Sequence, residues 1–68
     1  MKIQSILLDK KYFTLNTAYQ WIVKHGFKHY KVDITKNKYR FRQQEPNQNR
    51  GYYTIHLKRG VEAICFSN

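Results

Sequence analysis

The spacing of apolar positions changes period along the chain, and each change predicts an element. Ile3 to Leu8 is a short apolar run bounded by Asp9-Lys10-Lys11, which reads as a first strand. From Thr14 the period becomes helical. Leu15, Ala18 and Ile22 recur on one face, Tyr19 and Val23 broaden it, and Thr14 is placed to accept from the amide of Asn16 or Thr17 as N-cap. Gly26 stands where a left-handed residue ends a helix, with Phe27 beyond it to pack on Ile22, so a helix is predicted over 14–25.

The period then falls to two. Tyr30, Val32 and Ile34 alternate with Lys31, Asp33 and Thr35, Lys36-Asn37 supplies a turn, and Tyr39 and Phe41 alternate with Lys38, Arg40 and Arg42. Residues 30–42 are thus predicted to be a hairpin with an apolar and a cationic side. Gln43 to Gly51 is polar, contains Pro46 and reads as a loop. Tyr53, Ile55 and Leu57 alternate weakly, which leaves 53–57 undecided as a strand. After Arg59-Gly60, Val61 to Phe66 forms a final strand. The order β-α-β-β-(β)-β predicts one α+β domain over 1–68, an antiparallel sheet of three to five strands with one helix on one face.

Size and composition constrain this picture further. A chain of 68 residues buries only roughly 60% of its unfolded surface, so its eleven aromatic residues matter to the core and dimerisation is a plausible further source of stability. The single cysteine, Cys65, excludes an internal disulfide framework and favours a reducing compartment. The apolar stretch near Met1 is too short for a signal peptide or a membrane span. A protein of the cell interior, neither secreted nor membrane-bound, is the expectation.

Charge narrows the choice of partner. Thirteen Lys and Arg against Asp9, Asp33, Glu45 and Glu62 give +9, a surface that attracts polyanions. Seven of the nineteen residues from Lys24 to Arg42 are Lys or Arg, and on the hairpin Lys31, Lys38, Arg40 and Arg42 share the outward side. Such a ribbon can neutralise phosphates, and arginine can bond phosphate or a guanine edge with two parallel bonds. A solvated cationic face would show the same pattern. Tyr39 and Phe41 fall opposite the arginines and belong to the core, which leaves Tyr52 as the best candidate for an exposed stacking ring.

Other chemistry finds less support. His25 and His29 have the spacing of half a zinc site, with His56 and Cys65 elsewhere, yet a helix ends between the pair and His25 reads better as a capping cation. No metal or other cofactor is expected. Four scattered acids, no glycine-rich phosphate loop and a cysteine in an apolar strand offer no catalytic constellation, so no enzymatic activity is expected.

The strings Asp9-Lys10-Lys11-Tyr12-Phe13-Thr14-Leu15, Ala18, Trp21, His25-Gly26-Phe27, Lys31-Val32, Thr35-Lys36-Asn37 and Tyr39-Arg40-Phe41-Arg42-Gln43, closing with Gly60-Val61 and Ala63-Ile64, resemble a small viral module. It occurs in tailed phages, alone or near head-morphogenesis and prohead-protease segments, and in large nucleocytoplasmic DNA viruses. The resemblance covers residues 3–66 and implies a viral setting, the virion or the interior of the host cell, without transferring a catalytic residue. Thr14, Gly26 and Lys36-Asn37 have folding roles; Arg40, Arg42 and Gln43 have none evident in the sequence. The leading expectation is therefore non-specific nucleic-acid binding, DNA before RNA, through Lys28, Lys31, Lys38, Arg40, Arg42, Gln43, Arg50, Lys58 and Arg59. The alternative is a structural adaptor that pairs with itself or a capsid protein near Trp21 and Tyr19.

Overall fold

The computed structural model describes residues 2–45 and 51–66. Among them are one helix and five strands: β1 (Ile3–Asp9), α1 (Leu15–Lys24), β2 (Val32–Ile34), β3 (Lys38–Arg42), β4 (Tyr52–Lys58) and β5 (Val61–Phe66). The fold is α+β. Its sheet is wholly antiparallel with spatial order β2-β3-β1-β5-β4, so the first strand lies at the centre and a hairpin flanks it on each side. The helix precedes four of the five strands and carries the chain from the central strand to the β2 edge.

Local signals account for the helix ends. Thr14 Oγ1 accepts from the Thr17 amide at 3.1 Å while Thr17 Oγ1 accepts from the Thr14 amide at 2.9 Å, a reciprocal cap that satisfies two orphan donors. At the other end Gly26 takes a φ of 76°. The Phe27 amide reaches back to the Ile22 carbonyl at 3.0 Å and the Gly26 amide to the Val23 carbonyl at 3.1 Å, the paired bonds of a Schellman ending.

The core lies between α1 and one face of the sheet: Ile6, Leu8, Ala18, Ile22, Phe41, Val61, Ala63 and Cys65 are fully buried. Register explains the selection, because Ile6 pairs with Phe41 and Ala63, and Leu8 with Tyr39 and Val61, which puts these side chains on one side. Cys65 is a free, buried thiol, and burial raises its pKa.

Several expectations need correction. Tyr30 and Ile34 were expected on a half-buried strand over 30–34, but β2 begins at Val32, Tyr30 is 77% exposed and Ile34 59%. Leu15 and Val23, assigned to the buried helical stripe, are exposed as well. Ile34 ends β2, a three-residue strand at the edge of the sheet with a neighbour on one side only, and Tyr30 precedes that strand. The undecided segment 53–57 is a strand, Tyr52–Lys58. Pro46 and most of the loop read over 43–51 lie outside the described residues.

Candidate nucleic-acid interface

The sheet face turned away from α1 holds the cations that the alternation assigned to it. Ser5, Leu7 and Asp9 on β1 pair with Arg42, Arg40 and Lys38 on β3, so all six share that face, together with Glu62 and Ile64 on β5. Phase alone was enough to place Lys38, Arg40 and Arg42.

Phase did not reveal what these cations touch. Lys38 Nζ donates to Glu62 Oε1 at 2.6 Å across the central strand, and both side chains are largely shielded from water. Arg42 Nη2 donates to Asp33 Oδ2 at 3.0 Å, while Arg42 Nε is buried with no partner among the described residues. Lys31 lies just before β2, where its Nζ donates to Glu45 Oε1 at 3.0 Å on an exposed surface. That bond and the Lys31 charge lower the Glu45 carboxyl pKa. Three of the four acids thus neutralise three of the four cations expected on the outward side of the hairpin.

Arg40 is held differently. The register of β1 slips by one residue between Ile3 and Ser5, a bulge that turns Gln4 and Ser5 toward the same neighbour. Arg40 Nε donates to Ser5 Oγ at 3.0 Å and Arg40 Nη2 to Gln4 Oε1 at 3.0 Å. Ser5 Oγ also bonds Gln4 Oε1, and Gln4 Nε2 donates to the Gln44 carbonyl at 3.0 Å. Gln4 and Ser5 are buried, so the guanidinium adds charge-assisted bonds to oxygens that otherwise have only each other.

Gln43 has a folding role that the sequence did not disclose. Its Oε1 accepts from the Lys28 amide at 2.8 Å and its Nε2 donates to the Lys28 carbonyl at 2.9 Å, clamping the segment after α1 to the end of β3. Lys28 itself is exposed. Lys58, the last residue of β4, and Arg59 in the β4–β5 turn are exposed, and Arg50 lies outside the described residues. The reading over the sequence passed over Lys10, Lys11 and Lys36, which also stand in turns; their signal was only their position beside predicted strand ends.

Tyr52 is exposed, as expected of it, and the other aromatic and histidine candidates make contacts within the fold. Tyr19 packs edge-on to Phe41 at 5.8 Å between ring centroids and lies 5.4 Å from His29. Trp21 is half-buried and stacked on His25 at 3.9 Å. His25 Nδ1 is 2.9 Å from the Trp21 carbonyl, as a helix C-terminal cap requires. The ring of Tyr52 lies 5.3 Å from Phe66. Among the described residues no three His, Cys, Asp or Glu side chains gather as a metal site, and no helix is long and apolar enough to cross a membrane.

Comparison of the chain with family models, with curated proteins and with solved structures finds no match.

Proposed function

We propose that the protein binds nucleic acid, DNA before RNA, by contacting backbone phosphates without strong sequence preference, in the viral setting that the resemblance implies. One observation carries this reading. After Asp33, Glu45 and Glu62 have paired with hairpin cations, Lys2, Lys11, Lys24, Lys28, Lys36, Lys58 and Arg59 remain exposed and form no ion pair among the described residues. Most of the excess of +9 is therefore carried by side chains that can exchange water and counterions for phosphate, and such contacts position a protein without reading sequence.

The test is a salt series. Affinity for unrelated DNA duplexes is expected to be similar from one sequence to another, and log K to fall by about 0.9 per log unit of salt for each phosphate neutralised. Absence of binding at low salt, or binding indifferent to salt, would sink the reading.

A further inference from the structure

Four of the seven exposed, unpaired cations, Lys11, Lys36, Lys58 and Arg59, converge at one end of the sheet. β1 ends at Asp9 opposite Lys38, the start of β3; β5 starts at Val61 opposite Leu8; and β4 ends at Lys58 opposite Val61. β2 finishes at Ile34 opposite Tyr39. One end of the sheet therefore gathers three turns that are distant in sequence, bearing Lys10 and Lys11, then Lys36, then Lys58 and Arg59.

These turns are fixed to one another. The Asp9 amide donates to the Gly60 carbonyl at 2.8 Å, and the Lys10 amide to the Asn37 carbonyl at 2.9 Å. Gly60 takes a φ of 79° and lies so close to Tyr12 that a β-carbon there would come within 2.7 Å of the ring. Lys10 Nζ sits 5.4 Å from the centre of the Tyr39 ring. A concavity lined by Asp9, Lys10, Lys11, Asn37 and Lys38 opens beside the first two turns. The nearby acids oppose little of this charge: Asp9 Oδ1 accepts the Lys11 amide at 2.8 Å, and Glu62 is bonded to Lys38 with His56 Nδ1 at 3.4 Å.

We infer that this three-turn end is the contact surface, and that its ligand is the phosphate backbone of duplex DNA, held at several phosphates by Lys10, Lys11, Lys36, Lys58 and Arg59. The inference rests on the nucleic-acid reading above and moves it from the outward face of the hairpin strands to the end of the sheet. Its width suits a duplex, since a sheet end about 19 Å across spans several phosphates that recur about every 3.4 Å along each strand. Backbone tethers fix where each cation emerges, so fewer conformations are lost on binding. Tyr39 lies beneath Lys10, which withdraws that ring from base stacking.

Two triple variants with equal net charge test the location. Lys11→Gln, Lys36→Gln and Lys58→Gln alter only exposed residues at the three-turn end; Lys31→Gln, Lys38→Gln and Arg42→Gln alter the outward side of the hairpin, and each set lowers the charge from +9 to +6 by removing three cations. Binding of a short DNA duplex across a salt series should lose about 2–3 units of log–log slope in the turn variant, at about 0.9 per phosphate, and under about one unit in the hairpin variant. Amide shift mapping on the unaltered protein, independent of either variant's folding, should place the contact at residues 10–11, 36–37 and 58–60. Equal loss in both variants, a greater loss in the hairpin variant, shifts centred on the hairpin, or tighter binding of a single strand than of the duplex would each overturn the inference. Failure of the unaltered protein to bind any nucleic acid would instead remove the reading on which it rests.

Discussion

The hairpin and the three-turn end are both rich in cations, yet the two regions use them differently. On the hairpin Lys31, Lys38 and Arg42 meet carboxylates and Arg40 meets buried neutral oxygens. At the turn end Lys11, Lys36, Lys58 and Arg59 meet no carboxylate among the described residues. The reason is geometric. Side chains on neighbouring strands stand about 5 Å apart on a shared face, so Asp33 on β2 is within reach of the arginines of β3, and the long Lys38 side chain spans the central strand to Glu62 on β5. Turn side chains leave the sheet where no further strand follows. A run of cations in sequence is therefore a poor guide to charge available for a ligand, because the same strands that display cations also bring up the acids that neutralise them.

The largest expected effect that would sharpen this contrast comes from Arg40→Ala. Removing the guanidinium strips Ser5 and Gln4 of charge-assisted bonds in a buried setting, which should cost about 1–3 kcal/mol and lower the melting temperature by several degrees, as read by circular dichroism. An unchanged melting temperature would show that Arg40, like the turn lysines, is free of a folding role. Gly60→Ala should cost about 1–2 kcal/mol through the strained positive φ and the collision with Tyr12. It should also weaken DNA binding without changing net charge, because the tether from Asp9 is disturbed; intact affinity in a destabilised variant would show that ordering of the turns is unimportant.

The smallest expected effect is at Lys31→Ala. Both partners of this ion pair are well exposed, so thermal stability at neutral pH should not change measurably. The Glu45 carboxyl, held low by the hydrogen bond and charge of Lys31, should titrate closer to its ordinary value in the variant when followed by NMR. The sign follows from linkage: a depressed carboxylate contributes fully above its unfolded pKa, and the contribution fades as pH falls through the lower folded value. A Glu45 titration identical in both proteins would mean that the pair does not persist in solution.

Much of the fold was legible in the chain because its signals are local. Thr14 and Gly26 mark the helix ends through bonds made within a turn of themselves, and period-two alternation put Tyr39 and Phe41 opposite Lys38, Arg40 and Arg42. The extent of β2 was not legible, since Tyr30 and Ile34 look like half-buried strand residues and nothing local marks β2 as a three-residue edge strand. Gln43 resembled a ligand-binding residue because its partners, the backbone groups of Lys28, lie fifteen positions away.

The sequence by itself determined the helix, the hairpin, the cationic side of β3 and the positive excess, all properties carried by neighbours in the chain. Tertiary structure alone decided that β1 is central, that a bulge turns Gln4 and Ser5 onto Arg40, which acid meets which cation, and that three separate turns meet at one end. These depend on strand pairing and register over long separations, where many alternatives share the same local pattern and only simultaneous burial of Ile6, Leu8, Phe41 and Val61 selects among them.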